Sequence, residues 1–245
     1  MRDKFVGDIG DYGKYGLLRA LSGVVGNYRE EKLRLGIVWC FVADKGIRYL
    51  DDPELSRCDP MLFKTLSSVV KKQTRTIRAI QGSGVLPGDT TYFATPMEGG
   101  VRFRKVWGEH AAEKTSDCDL IFFDPDNGLK SSRLGEGSVS SKHVYCEELM
   151  AFVSRGQSLV VYHHRPLMQR VEVEADARVR ELTERLSCSQ VWALRHGERF
   201  YFIIPNGRDD LLRRRLGDFL QRPWGEHFEL FPRQQRTRVI GGADG

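Results

Sequence analysis

An α/β fold of the doubly wound type, with a mostly parallel sheet and a C-terminal antiparallel hairpin, is what the sequence predicts. Three observations lead there. Short apolar runs rich in Val, Ile and Phe recur with little alternation, the pattern of strands covered on both faces. Stretches with helical spacing separate them, and strands alternating with helices imply a parallel sheet wrapped on both sides. The last two runs are joined by His196-Gly197-Glu198-Arg199, a polar turn of hairpin length that contains glycine.

In chain order, a helix over Tyr15 to Val25 precedes a strand over Leu35 to Ala43. A helix over Pro60 to Arg78 follows, with Leu62, Phe63, Leu66, Val69 and Val70 at helical spacing. Next come a strand over Thr90 to Ala94, a helix over Val101 to Lys114 and a strand over Asp119 to Asp124. A helix over Cys146 to Ser154 leads to a strand over Ser158 to His163. Val171 to Leu186 is amphipathic, with Val171, Ala175, Val179, Leu182 and Leu186 on one face. The hairpin strands are Gln190 to Arg195 and Phe200 to Ile204, and a helix over Asp209 to Leu220 closes the set. Without repeats or a low-complexity linker, the chain reads as one domain over 1–240, with 241–245 (Gly-Gly-Ala-Asp-Gly) expected to be disordered.

Composition narrows the classes. No window approaches the roughly 18 apolar residues of a membrane span, and the start, Met1-Arg2-Asp3-Lys4, lacks the apolar run of a signal peptide. Five scattered cysteines, none in a CxxC pair, predict reduced thiols in the cytoplasm rather than a disulfide frame or a zinc site. The net charge of +5 favours a polyanionic partner, RNA or DNA. Arg213, Arg214 and Arg215, with Arg233 and Arg236 in the basic tail, are the candidate phosphate contacts, and Trp224 is the candidate base-stacking residue. Trp39 and Trp192 lie in strands and are expected in the core.

In open α/β sheets a ligand sits beyond the carboxyl ends of the strands. That rule selects Asp124-Pro125-Asp126-Asn127-Gly128, where an apolar strand delivers two carboxylates, an amide and a glycine to one turn. Proline fixes one backbone angle there and glycine permits a left-handed one. Tyr162-His163-His164-Arg165 leaves the next strand. Vicinal histidines on an extended chain point to opposite faces, so at most one meets the cleft. Asp124 and His163 are expected to end adjacent parallel strands. The third candidate is Gly7-Asp8-Ile9-Gly10-Asp11-Tyr12-Gly13-Lys14-Tyr15-Gly16, dense in glycine and polar groups ahead of an apolar helix. Its evenly spaced glycines resemble a phosphate loop, but no strand precedes them and no GK[ST] follows.

The element order and these motifs resemble the S-adenosylmethionine-dependent methyltransferases, nearest to the ribosomal RNA adenine-N6 methyltransferases. Those chains begin with Gly-Asn-x-x-Asp-x-x-Lys-His, which Gly7, Asp11 and Lys14 match, and carry an Asp-Pro-Pro-Tyr loop, which Asp124 and Pro125 match. The GDxxDYxKYGLLR and FFDPDNG motifs are also similar to those of a bacterial and prophage protein family, a likeness that brings no activity with it. Two departures from the methyltransferase pattern stand out. The glycine-rich loop after the first strand is reduced to Asp44-Lys45-Gly46, and Asp126 and Asn127 replace the second proline and the aromatic residue. One strand is also missing between Ala43 and Thr90.

The resemblance implies S-adenosylmethionine as cofactor, bound by Asp8, Asp11, Tyr12, Asp44 and Gly46. With the strand-end reading it gives an expected catalytic group of Asp124, Pro125 and Lys14, which match the family's motifs, and of Asp126, Asn127 and His163, which the strand ends supply. Asp124 and the Pro125 carbonyl would accept the hydrogens of an exocyclic base amine, so that catalysis is chiefly orientation. Two alternatives stay open. One is a Mg²⁺-dependent phosphodiesterase or nuclease with the metal on Asp124 and Asp126, completed by Asp8 or Asp11 and His163. The other is a non-catalytic nucleic-acid-binding partner on a degenerate Rossmann fold.

Overall fold

Seven strands form one sheet in the order β2-β1-β3-β6-β8-β7-β9 among the described residues. The structure is a computed structural model, and it describes residues 7–25, 31–40, 53–72, 76–97, 100–136, 139–166 and 168–231. The strands are β1 (Leu35–Trp39), β2 (Thr91–Phe93), β3 (Leu120–Asp124), β6 (Ser158–His164), β7 (Trp192–His196), β8 (Arg199–Ile204) and β9 (Glu229–Phe231). The pairs β1–β2, β1–β3 and β3–β6 are parallel, whereas β6–β8, β7–β8 and β7–β9 are antiparallel. Five strands therefore share one direction, and β8 enters between β6 and β7 from the opposite end. The expected hairpin is present as β7–β8, and β3 and β6 are adjacent and parallel, as the ends of Asp124 and His163 required.

Helices cover both faces. The apolar residues of α1 (Ile9–Leu21), α2 (Pro60–Lys71), α3 (Ile77–Gln81) and α7 (Asp209–Gln221) share a core with Ile37, Leu120, Phe122, Val160 and Tyr201. Those of α4 (Val101–Lys114), α5 (Cys146–Val153) and α6 (Val171–Leu186) share the opposite core with Val38, Ile121, Phe123, Val161 and Phe202. Successive strand residues alternate between the two cores, as the two-residue period of a strand requires. Trp39 and Trp192 are buried in the first core, as expected. All five cysteines are free thiols. No helix among the described residues is long and apolar enough to cross a membrane.

Helices α4 and α6 occupy the expected spans, and α5 and α7 differ by one residue at one end. Three departures have physical causes. The first helix begins at Ile9 rather than Tyr15, because Asp8 caps it by accepting the Asp11 amide at 2.7 Å. The stretch from Pro60 divides into α2 and α3, and Thr76 caps the second piece through the Ala79 amide at 3.0 Å. The two-stranded sheet of β4 (Gly128–Lys130) and β5 (His143–Tyr145) was not foreseen, nor was β9. Each is three residues long, too short to carry a period. Residues 41–43 of the expected first strand and the expected disorder of 241–245 lie outside the described residues.

The glycines that resembled a phosphate loop are a packing strip on α1. A Cβ added at Gly10, Gly13 or Gly16 would come closer than 3.0 Å to Arg199, His196 or Trp224 respectively. Three bulky side chains thus lie directly on the helix backbone, and α1 is buried from Gly10 to Leu21 apart from Arg19. Alanine is the better helix former by about 1 kcal/mol, but overpacking typically costs about 1–3 kcal/mol. Gly16→Ala, which meets the buried Trp224 ring, is accordingly expected to destabilise the protein by up to about 2 kcal/mol net. Urea denaturation measures this, and a variant more stable than the wild type would contradict the packing argument.

Candidate functional site

Leu120, Phe122 and Asp124 share one face of β3, the face covered by α1. Asp124 is the last residue of that set, opposite Trp39 at the end of β1. From α1 the buried Lys14 ammonium reaches Asp124 Oδ2 at 2.8 Å and Asp11 Oδ1 at 2.6 Å. The rings of Tyr15 and Trp39 lie 5.1 Å and 5.4 Å from the same nitrogen. Burial opposes the charge on Lys14, but Asp11 and Asp124 more than offset it and hold the ammonium well above its usual range.

Asp11 Oδ2 accepts the Gly7 amide at 3.0 Å. Burial pushes the Asp11 carboxyl up to about 6, against the pull of Lys14. Asp8 caps α1 with one oxygen and meets the Arg199 guanidinium with the other at 3.2 Å. Burial raises its carboxyl too, with Arg199 opposing.

These groups line a cleft of about 250 Å³ together with Pro125, Asp126, Asn127, Tyr162, His164 and Tyr201. Strand parity explains the selection. Val160 faces the α1 side, so Tyr162 and His164 do as well, whereas His163 follows Leu159 and Val161 to the other face. Antiparallel β8 then sets Tyr201 opposite Tyr162 and Arg199 opposite His164. The two tyrosine rings meet edge to face at 6.0 Å, and burial pushes the Tyr162 phenol up to about 12, so it stays neutral. Burial, with Arg199 next, lowers His164 below the usual imidazole range.

The turn after Asp124 is held from behind. Gly128 has a φ of 108°, a left-handed value, and a Cβ there would come closer than 3.0 Å to both the ring and the backbone of His163. The Asn127 amide donates to the Lys142 carbonyl at 2.8 Å, and the Asn127 carbonyl accepts the His164 amide at 3.1 Å. Asp126 is half-buried and Asn127 exposed at the cleft edge. The turn is thus fastened through its backbone, which leaves its side chains at the cleft.

Several expected roles change. His163 lies behind the sheet and is not a cleft residue. Its Nδ1 accepts the Leu129 amide at 3.0 Å and its Nε2 lies 2.9 Å from Glu174 Oε1, so both ring nitrogens are engaged. Tyr12 is a core residue rather than a cofactor contact. Its hydroxyl donates to the Leu55 carbonyl at 2.6 Å and accepts the Asp59 amide at 2.9 Å, and its ring packs 4.8 Å from that of Trp224.

Trp224 cannot stack on a base, because it is buried among Tyr12, Phe219 and Phe228. Arg215 is buried and donates to the Leu21 and Glu31 carbonyls, which ties α7 to the end of α1. Arg214 pairs with Glu31, and Arg213 lies over the Trp192 ring at 5.2 Å. The three consecutive arginines therefore form no single basic face. Asp44 and Gly46, Arg233 and Arg236 fall outside the described residues.

Arg199 and Tyr201 were not singled out from the sequence, and Tyr162 and His164 were named only within the Tyr162–Arg165 segment, where His163 was taken as the site residue, although strand parity and the hairpin register carried the signal. Among the described residues, no group of three or more His, Cys, Asp or Glu side chains is placed to hold a metal ion. Comparisons of the chain with protein-family models, with curated proteins and with solved structures found no match.

Proposed function

We propose that this protein is a nucleic-acid-modifying enzyme of methyltransferase type that acts on an exocyclic base amine. The observation that carries the reading is Asp124. It is a buried carboxylate at the end of a central parallel strand, clamped by Lys14, in a cleft with the Tyr162 ring as one wall. A fixed acceptor beside an aromatic face suits a flat base that carries N–H donors. The β7–β8 hairpin, the Gly7–Asp11–Lys14 segment and the Asp124-Pro125 turn all meet at this cleft, which agrees with the methyltransferase resemblance.

S-adenosylmethionine, when bound, would supply the methyl group. The fit is electrostatic: four carboxylates line the cleft against Lys14 and Arg199, and an acidic balance suits a sulfonium cation. Asp8 and Asp11 are the described residues that would hold it. Asp124 accepts one amine hydrogen, the Pro125 carbonyl accepts the other, and Tyr162 fixes the plane of the base. The net charge of +5 agrees with a polyanionic partner, although α7 no longer offers the docking face. A divalent cation on Asp124 would have to displace or share Lys14, which already sits 2.8 Å from its oxygen.

Calorimetric titration of the protein with S-adenosylmethionine, and separately with Mg²⁺ or Mn²⁺, tests this. The wild type is expected to bind the methyl donor. Asp124→Asn keeps a carbonyl acceptor and should still bind it through Asp8 and Asp11, while methylation of RNA or DNA falls about 10–100-fold, the loss of one charge-assisted hydrogen bond. Asp126→Asn should be mild. Metal affinity lost in both variants, with no methyl-donor binding in any, would overturn this reading in favour of the phosphodiesterase. A wild type that binds neither ligand would leave the non-catalytic partner.

A further inference from the structure

We infer that Glu174 and His163 form a positioning pair that holds the Asp124–Leu129 turn in place from the face of the sheet opposite the cleft. The importance of the turn rests on the proposed function, but the holding itself does not. Glu174 is in the first turn of α6, on the far side of the sheet from Lys14, and nothing in the sequence marked it.

The hydrogen bonds dictate one protonation form. The Leu129 N–H at 3.0 Å needs a lone pair on His163 Nδ1, and the Glu174 carboxylate at 2.9 Å needs a proton on Nε2. The neutral Nε2–H tautomer satisfies both. The other neutral tautomer would set two N–H groups face to face at Leu129 and two lone pairs face to face at Glu174. Glu174 therefore selects the tautomer, and the tautomer carries the turn.

The pair is rigid at each end. Glu174 Oε1 also accepts from Arg178 Nε at 3.0 Å, which fixes the carboxylate along its own helix. Glu174 Oε2 has no hydrogen-bond partner among the described residues, so the directed contacts of the carboxylate run through Oε1 to His163 and Arg178. At the other end, the bare Cα of Gly128 lets the turn lie directly on the imidazole. The Asn127 carbonyl is held by the next residue of the same strand, His164, at 3.1 Å. Consecutive residues of β6 thus grip consecutive peptides of the turn, one through a side chain and one through the backbone. The cleft residues Asp124 to Asn127 lie just before that grip.

The test needs no knowledge of the substrate. Nitrogen-15 NMR of histidine-labelled wild-type protein reads the tautomer, and amide hydrogen exchange at Leu129 reads the hold. Expected are an Nε2–H imidazole at His163 and Leu129 exchange at least about tenfold faster in Glu174→Leu. Glu174→Gln, whose amide oxygen still accepts from Nε2–H, should keep wild-type exchange. An Nδ1–H tautomer in the wild type would overturn the inference without any variant. So would unchanged exchange in Glu174→Leu, or equal loss in the Leu and Gln variants. If methyl transfer is measurable, Glu174→Leu should lower kcat with S-adenosylmethionine affinity unchanged. If the wild type binds no methyl donor, the proposed function fails, while the tautomer and the exchange rates still decide the pair.

Discussion

Glu148→Leu is expected to cost about 3–5 kcal/mol of folding stability, the typical penalty for leaving a buried charge without its partner. The charge left behind is Arg104, which has 0% exposure on α4. Its guanidinium donates to both Glu148 oxygens, through Nε at 2.6 Å and through Nη2, and to the carbonyls of Ser140 at 3.2 Å and His143 at 2.8 Å. Glu148 also accepts the Tyr145 amide at 2.9 Å at the start of α5. Burial raises the Glu148 carboxyl and Arg104 opposes that rise, so the pair is mutually dependent.

Replacing both members by apolar residues of similar volume, Arg104→Met with Glu148→Leu, removes the stranded charge and should be milder than the single change. Urea denaturation of the three proteins measures the difference. A single variant that loses less than about 1 kcal/mol would mean that solvent reaches the pair. The effect extends beyond stability. Arg104 fixes the carbonyls on either side of Lys142, and the Lys142 carbonyl accepts the Asn127 amide of the cleft turn. Loosening this pair should therefore weaken any ligand bound at Asp124.

The helices were legible in the sequence because most are long enough to show a period, and the central strands because each is a run of apolar residues. The end of one such run placed Asp124 at a strand end, and the two-residue period of an extended chain allowed at most one of His163 and His164 into the cleft. It did not say which, because parity can be assigned only once a neighbour's face is known. Val160 supplies that reference in the folded protein. Composition misled in two places. Arg213, Arg214 and Arg215 are adjacent in sequence, but helical geometry turns them in different directions, and the middle of the protein claims Arg215. Trp224 lies two residues after Arg222, yet its ring fills the gap that Gly16 leaves on α1. That gap was itself visible as the glycine spacing, but spacing alone cannot distinguish a surface that binds phosphate from one that admits an indole. Short strands such as β4, β5 and β9 leave no period to read, and their pairing is set by tertiary contacts such as His163 with Leu129.

Lys14→Met should produce the other large effect, and its pH dependence separates it from simple cavity formation. Lys14 is shared by Asp11 and Asp124, and its side chain is almost fully buried. Methionine fills a similar volume but removes the ammonium that the buried Asp11 and Asp124 carboxylates share. About 3–5 kcal/mol of stability should be lost at neutral pH.

The sign of the pH effect follows from Asp11. In the wild type its carboxyl is already raised to about 6 from 3.8, by burial first and with Lys14 opposing. A raised folded-state pKa gives stability that is full below the unfolded value and is lost as pH rises through the folded value. Removing Lys14 raises the Asp11 carboxyl further, so the variant continues to lose stability above pH 6, where the wild type has levelled off. The gap between the two proteins should therefore widen from pH 5 to pH 8. Adding Asp11→Asn removes one of the two carboxylate charges, and should narrow that gap at pH 8 more than at pH 5. Urea midpoints at the two pH values measure this for all three proteins. A deficit that is independent of pH, or larger at pH 5, would show that Lys14 contributes packing rather than charge, and Asp124 would lose its standing as a clamped acceptor.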